Sequence, residues 1–155
     1  MTEKELIVRK IENGTVIDHI TPGRALDVLK VLNITGKEGL VVAVVMNVPS
    51  KKYGKKDMVK IENRELAEEE VNLIAMISPN ATINIIRDHK VAKKFQVKIP
   101  NKIKNIIQCE NPTCITRVEK NTISSFTLVS RSPIILRCDY CGAYIDLEAI
   151  LKQFE

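Results

Sequence analysis

Cys109-Glu110-Asn111-Pro112-Thr113-Cys114 and Cys138-Asp139-Tyr140-Cys141 contain all four cysteines of this 155-residue chain. Two close pairs joined by a folded connector can bring four sulfurs round one tetrahedral Zn²⁺ ion without strain. A closed shell of four thiolates leaves no coordination position for water or substrate. The spacing therefore predicts one structural zinc ion per chain, with the ligands Cys109, Cys114, Cys138 and Cys141.

Two disulfides or four unrelated buried thiols are the alternative interpretations of these cysteines. The residues between and after them favour the metal site, since Pro112 and Gly142 are typical of tight turns. The chain opens with mixed charge at Met1-Thr2-Glu3-Lys4-Glu5 rather than with a basic secretory leader. No apolar run approaches the roughly 20 residues of a membrane span. We therefore expect a cytoplasmic protein, in which thiols stay reduced.

The confinement of the cysteines to the last third of the chain favours two domains. Pro100 marks the expected boundary, because proline cannot donate to a strand ladder and polar residues follow it. The expected domains are residues 1–100 and 101–155.

Two strand-helix-strand patterns fill the first hundred residues. The expected strands are 15–20, 39–46, 57–62, 81–86 and 91–97, and the expected helices follow Thr21-Pro22 and Leu66. Such a tandem arrangement predicts an α+β fold, a ferredoxin-like βαββαβ sandwich in which two helices cover one face of an antiparallel sheet. Residues 49–54 are the expected exposed hairpin loop between the two units.

The last third of the chain predicts a small all-β domain that is threaded between the cysteine pairs. Its expected strands are 103–108, 124–129 and 133–138, and residues 147–151 predict a short C-terminal helix.

Charge is distributed unevenly between the two expected domains. Residues 1–100 contain 17 Lys and Arg against 13 Asp and Glu, a net of +4, and residues 101–155 contain 7 against 6, a net of +1. Four thiolates and one Zn²⁺ add −2 to the second domain and bring it to about −1. The positive charge therefore belongs to the first domain.

The sequence shows no constellation typical of catalysis. It has two histidines, no glycine-rich phosphate loop and no serine in a nucleophile-elbow context. Asp18 and His19 are adjacent on an expected strand, so their side chains are expected on opposite faces, where they cannot act as a dyad. We predict that the chain is not an enzyme.

Three segments and the cysteine pattern closely resemble one known family. The segments are residues 14–20 (Gly-Thr-Val-Ile-Asp-His-Ile), 54–63 (Gly-Lys-Lys-Asp-Met-Val-Lys-Ile-Glu-Asn) and 79–84 (Pro-Asn-Ala-Thr-Ile-Asn). Together with the four cysteines they are similar to the regulatory chain of aspartate carbamoyltransferase. The likeness covers essentially the whole chain in one order and register.

This resemblance implies an allosteric, non-catalytic subunit of pyrimidine biosynthesis. In that family the first domain binds the effector nucleotides CTP and ATP, with UTP as a further candidate, and the zinc domain docks on the catalytic chain. Regulatory chains pair as homodimers, and three such dimers hold two catalytic trimers in a heterododecamer. The many Ile, Lys and Glu residues favour a thermophilic source, as in archaeal members.

The resemblance also assigns residues to the two functions. Asp18 matches a ribose contact, His19 a residue near the phosphates, and Lys60 and Lys94 match triphosphate and base contacts. The full set of matched nucleotide-binding residues is Val8, Arg9, Lys10, Ile11, Asp18, His19, Lys60, Asn84, Ile86, His89, Val91 and Lys94. The positions assigned to contacts with the catalytic chain are Asn111, Thr113 and Tyr140, of which Asn111 and Tyr140 match the family.

Five positions depart from the family pattern. Arg9 and Lys10 stand where the family has an acidic residue followed by a small one, and His89 replaces a tyrosine beside the base. On the side of the catalytic chain, Thr113 replaces a second asparagine and Gly142 replaces an acidic residue. The departures near the base bear on which nucleotide is preferred, whereas the phosphate-binding lysines are retained.

Two other functions fit parts of the sequence. A zinc-ribbon protein that binds nucleic acid would agree with the pI near 9.0 and the cysteine spacing. Against it stand a nearly neutral zinc domain and only three Phe, three Tyr and no Trp for base stacking. A free-standing nucleotide sensor with some other partner is the second alternative.

Overall fold

The computed structural model describes residues 10–155. The chain divides between Val97 and Lys98 into two compact units. The first contains strands β1 (Gly14–Ile20), β2 (Val42–Ser50), β3 (Gly54–Glu62), β4 (Thr82–Arg87) and β5 (Lys90–Gln96), and helices α1 (Ala25–Val31) and α2 (Glu68–Ile77).

The five strands form one sheet in the order β2-β3-β1-β4-β5, and every neighbouring pair is antiparallel. The central strands alternate in burial. Ile17, Val59 and Ile83 have no exposed surface and pack with apolar residues of the helices, whereas the residues between them stay half-exposed. Alternation of this kind means that the helices cover one face and leave the other face open. The predicted α+β fold is confirmed.

Gly14 allows β1 to begin close to β3. Its φ is +143°, and an added Cβ would lie 2.1 Å from the carbonyl oxygen of Ile61. Glycine is the residue type that permits both this backbone angle and this approach.

The second unit is a four-stranded antiparallel sheet in the order β6-β7-β8-β9. Its elements are β6 (Lys102–Lys104), α3 (Ile115–Val118), β7 (Ser125–Arg131), β8 (Ile134–Cys138), β9 (Tyr144–Asp146) and α4 (Leu147–Lys152). Ile103, Phe126, Leu136 and Ile150 are at most 1% exposed and form its core. The Asp146 side chain accepts a hydrogen bond from the Ala149 amide and caps α4.

Three details differ from the sequence-based expectation. The strand expected over 103–108 ends at Lys104, because Asn105 has a φ of +58° and leaves the extended region. Strand β9 and helix α3 were not predicted, since each is only three or four residues long. The hairpin between β2 and β3 is tighter than expected, with β2 continuing to Ser50.

The Asp18–His19 step also differs. Strand β1 has a register irregularity between Ile17 and Ile20, and His19 has a φ of +56°. His19 Nδ1 lies 3.3 Å from Thr82 Oγ1, and Thr82 is the strand partner of Asp18. The expectation of opposite faces is therefore wrong, because the bulge brings both side chains to one face.

Candidate functional site

The four cysteines of the second unit come together at the ends of two loops. Cys109 and Cys114 precede α3, and Cys138 ends β8, three residues before Cys141. Their Sγ atoms all lie within 4.8 Å of one another. Cys109 Sγ is 3.6 Å from Cys141 Sγ, and Cys114 Sγ is 3.7 Å from Cys138 Sγ.

These distances distinguish a metal site from disulfides. A disulfide requires sulfurs about 2.05 Å apart, and all four cysteines are free. Four Zn–S bonds of about 2.3 Å in a tetrahedron place the sulfurs about 3.8 Å apart. The donor set thus fits structural zinc in both chemistry and spacing, as the sequence predicted.

Backbone hydrogen bonds shape the two cysteine loops. The Cys114 amide donates to the Asn111 carbonyl at 3.0 Å, and the Gly142 amide donates to the Cys138 carbonyl at 3.0 Å. Gly142 has a φ of +79°, as the turn requires. The loops are therefore fixed by local geometry as well as by the sulfurs.

The metal-free thiols differ in acidity. Burial raises the pKa of Cys109 to about 12 and also raises the pKa of Cys138. A backbone hydrogen bond from Ala143 lowers the pKa of Cys141 to about 6. Because buried thiols resist ionisation, a bound dication is what would keep all four as thiolates.

Asp139 anchors the second cysteine loop to the sheet. Its carboxylate accepts hydrogen bonds from the Ser125 and Thr127 hydroxyls, both at 2.5 Å, and from Lys102 Nζ at 3.0 Å. These bonds, led by the one from Ser125, lower the pKa of Asp139 to about 2. Asp139 therefore remains ionised at neutral pH and ties the loop to β6 and β7.

The predicted contacts to the catalytic chain lie on the same loops. Asn111 Oδ1 accepts hydrogen bonds from the Thr113 amide at 3.1 Å and from the Thr113 hydroxyl at 2.9 Å. Tyr140 is 51% exposed. Asn111 and Thr113 thus shape the loop, whereas the Tyr140 ring faces solvent.

In the first unit, one row of side chains crosses the open face of the sheet. Val16 of β1 pairs with Lys60 of β3 and with Asn84 of β4, and Asn84 pairs with Lys94 of β5. Directly paired residues share a face. The structure therefore brings together Lys60, Asn84 and Lys94, three of the residues that the sequence assigned to nucleotide binding.

Lys60 is a half-buried cation at the centre of this face. Burial lowers its pKa, the nearby Asp18 carboxylate opposes that change, and the charge of Lys10 adds to it. Within residues 10–155, none of Lys10, Lys60 and Lys94 has a carboxylate within salt-bridge distance. An anion bound between these lysines would restore interactions that burial has removed.

The β1 bulge lies beside this row, about two residues further along the strand than Val16. Asp18 Oδ1 pairs with Lys56 Nζ at 2.9 Å, and the His19 ring meets the edge of the Tyr53 ring with 5.8 Å between centroids. Sequence reasoning did not assign Lys56, Tyr53 or Thr82 to the site. The run of lysines in residues 51–60 was the available signal for Lys56, and the bulge that gathers the others cannot be read from periodicity.

A polar cleft of about 400 Å³ lies at the opposite end of β1. Lys10, Glu12, Asn13, Glu62, Asn63 and His89 line it. His89 has a φ of +65° and donates its amide hydrogen to the Glu12 carbonyl at 2.9 Å.

The remaining predicted residues fall near this cleft or outside the described chain. Ile86 and Ile11 are buried, and Val91 is 57% exposed on β5. Val8 and Arg9 lie outside the described residues.

Across residues 10–155, no helix is both long and apolar enough to cross a membrane.

The fold and the sites define a two-domain protein, in which an α+β domain with a basic open face precedes a small metal-binding β domain. Family models match both parts. Residues 6–98 match the allosteric domain of the aspartate carbamoyltransferase regulatory chain, and residues 101–151 match its metal binding domain.

Curated relatives support the same conclusion over nearly the full length. The chain is 55% identical over 152 residues to the aspartate carbamoyltransferase regulatory chain of Korarchaeum cryptofilum, covering 97% of each protein. It is 56% identical over 149 residues to that of Pyrobaculum neutrophilum, covering 96% of this chain and 99% of the relative. It is 51% identical over 150 residues to that of Sulfolobus acidocaldarius, covering 97% and 92%.

The chain belongs to the aspartate carbamoyltransferase regulatory chain family. This membership confirms the predicted family and the prediction of a regulatory rather than a catalytic subunit. It also confirms the metal-binding character of the cysteine cluster.

Proposed function

We propose that the first domain, residues 1–100, binds the effector nucleotides CTP and ATP, and also UTP, on the open face of its sheet. The second domain, residues 101–155, then docks on the catalytic chain of aspartate carbamoyltransferase in the cytoplasm. Through this contact the chain transmits allosteric control to the catalytic subunit in pyrimidine biosynthesis. The chain itself supplies no catalytic group.

The observation that carries the nucleotide proposal is the half-buried Lys60. It shares a face with Lys94 and Asn84, and within residues 10–155 no carboxylate lies within salt-bridge distance of it, although Asp18 compensates its burial in part. A triphosphate offers several anionic oxygens to such a group, and lysine supplies three rotatable donors on a compact charge. Asp18, next to this row, can accept hydrogen bonds from ribose hydroxyls.

The cleft at the opposite end of β1 suits the base. His89 and Lys10 line it, and both face polar neighbours such as Glu12. Because Arg9, Lys10 and His89 depart from the family pattern, the ranking of CTP, ATP and UTP in this chain need not follow that of the family. The lysines proposed to bind phosphate, Lys60 and Lys94, are retained from the family pattern.

Assembly is proposed from family membership. We infer a homodimer of regulatory chains and a heterododecamer of two catalytic trimers and three regulatory dimers. On the zinc domain, the exposed Tyr140 ring is the proposed anchor, with Asn111 and Thr113 beside it. An exposed aromatic ring on a metal-fixed loop is a typical interface anchor.

Calorimetric titration of the full chain tests the nucleotide site. We expect CTP and ATP to bind saturably with one nucleotide per chain, and a single-stranded RNA oligonucleotide not to bind at physiological salt. RNA binding that weakens steeply with salt, in the absence of nucleotide binding, would instead favour the nucleic-acid function.

A further inference from the structure

Asp57 is a fully buried carboxylate that the proposed nucleotide site does not use. It lies on β3 and has no exposed surface. Oδ2 accepts the amide hydrogens of Gly23 at 2.8 Å and Ala25 at 3.0 Å, and Oδ1 accepts that of Asn47 at 2.8 Å. Burying a carboxylate is costly without compensation, and here backbone donors alone provide it.

The three donors come from different parts of the first unit. Ala25 is the first residue of α1, Gly23 lies in the turn before it, and Asn47 belongs to the outer strand β2. Asp57 therefore ties the start of a helix and an edge strand to the centre of the sheet.

Two β-bulges meet β3 at this point. Strand β1 loses register between Ile17 and Ile20, where Ile20 pairs with Asp57. Strand β2 loses register between Val45 and Val48, where Val48 pairs with Lys56. His19 and Asn47, the left-handed residues of the two bulges, have φ values of +56° and +59°. Both irregularities thus flank the Lys56–Asp57 segment.

The Lys56–Asp57 segment also contacts the candidate nucleotide site. Lys56 Nζ pairs with Asp18 Oδ1 at 2.9 Å, and Asp18 precedes His19 in the β1 bulge. Lys56 precedes Asp57 in β3, and Ile20, which follows His19, is the strand partner of Asp57. A ligand that moves Asp18, His19 or Lys56 therefore moves backbone that adjoins Asp57. Because packed bulges have few alternative arrangements, such a shift passes to the next strand as a discrete change.

We propose that Asp57 is a positioning residue that links the geometry of the nucleotide site at Asp18, His19 and Lys56 to the bulge of outer strand β2. This inference rests on the proposed nucleotide function. The Asp57 carboxylate would transmit a backbone shift at the nucleotide site to strand β2 at the edge of the sheet.

Asp57→Asn distinguishes the hydrogen bonds to the start of α1 from the hydrogen bond to β2. An amide has one accepting oxygen, and that oxygen is expected to face the two donors Gly23 and Ala25. Its NH₂ group then faces the Asn47 amide, so the bond to β2 is lost while the bonds to α1 remain. Asp27→Asn is the matched control, since Asp27 lies on α1 and pairs with Arg24 rather than with β2.

Single-residue amide hydrogen exchange of the full chain, with and without saturating CTP, tests the proposal. In the wild-type chain, CTP is expected to slow exchange at Gly23, Ala25 and Asn47, but not at Thr35 and Gly36, whose amides bond to the Glu38 side chain. In Asp57→Asn the response to CTP is expected to be lost at Asn47 and kept at Gly23 and Ala25. Asp27→Asn should respond like the wild type.

A purely structural role would raise basal exchange at Asn47 without abolishing its response to CTP. A response at Asn47 that is equally large in Asp57→Asn would therefore overturn the proposal. If that variant does not fold, the wild-type chain still tests the proposal. An exchange rate at the Asn47 amide that CTP binding leaves unchanged would also overturn it. Calorimetry on the same sample separates this outcome from failure to bind CTP, which would refute the nucleotide function as well.

Discussion

Lys60 shows how one side chain can indicate a ligand that the fold itself does not need. It is a half-buried lysine whose pKa is lowered by burial, and the charge of Lys10 lowers it further. Such a residue does little for folding, since burial removes water without supplying a full counter-charge. A bound anion would supply the counter-charge that Lys60 lacks.

Replacing Lys60 by Met should weaken CTP binding by about 10- to 100-fold, because a hydrogen bond to a charged group contributes about 1.5–3 kcal/mol. Thermal stability should be unchanged or slightly higher, as a partly desolvated charge is removed. Titration calorimetry and a melting curve on the same protein check both expectations.

Lys37→Met is the matched control, because Lys37 is exposed and lies in the loop between α1 and β2. Equal CTP affinity for Lys60→Met and the wild type would show that Lys60 does not contribute to nucleotide binding.

Sequence reasoning can predict which residues of regular strands lie together. Lys60, Asn84 and Lys94 were assigned to nucleotide binding through the family resemblance, and strand register brings them to one face. The contact of Lys56 with Asp18 was not predicted, since it depends on where β1 bulges. The β1 bulge lies between Ile17 and Ile20, and the alternation of apolar residues along the strand does not indicate it.

The close pairing of β1 with β3 depends on Gly14. A Cβ at this position would lie 2.1 Å from a backbone oxygen, and the φ of +143° is itself unfavourable for other residues. Backbone atoms cannot move aside as a flexible side chain can. The start of the central strand is therefore intolerant of any larger residue.

Gly14→Ala should destabilise the first domain by about 3 kcal/mol or more. Gly36→Ala is the control, because Gly36 also has a positive φ but an added Cβ would meet nothing within 4 Å. It should cost only about 1–2 kcal/mol of backbone strain. Urea unfolding followed through the methyl resonances of Ile17 and Ile83 checks both values, and equal costs for the two variants would refute the close-approach argument.

Long elements were predicted well, and short ones were not. The strands of the first domain and helix α2 have periodic patterns over six or more residues, which local reasoning can detect. Helix α3 has four residues and strand β9 has three. Such elements form because the cysteines and the neighbouring strand hold them, so their sequences carry little independent signal.

Removing zinc should act on only one of the two units. Zinc binding contributes about 10–16 kcal/mol to small modules of this kind. Chelation should therefore unfold residues 98–155, seen as collapse of the Ile103 and Leu136 methyl resonances, and leave Ile17 and Ile83 unchanged. Cys138→Ser should have the same effect without a chelator.

The same treatment tests how the chain docks. If the zinc domain carries the contact, metal loss should release the catalytic chain while CTP still binds the first domain. A folded second unit in metal-free protein, or a complex that survives complete zinc removal, would contradict this view.

The whole molecule joins an allosteric domain to a metal-binding domain. Allosteric control requires a ligand site and a partner that exists in two states. In the proposed function, the first domain supplies the ligand site and the catalytic chain supplies the two states.

The most direct test of this account is the rate of carbamoyl aspartate synthesis by the cognate catalytic trimer at subsaturating aspartate. The rate is measured with and without this chain while CTP and ATP are titrated. We predict that the rate responds to nucleotide only when the chain is present, and that Lys60→Met shifts the response to higher nucleotide concentration. A catalytic trimer that binds the chain but remains insensitive to every nucleotide would contradict the regulatory function.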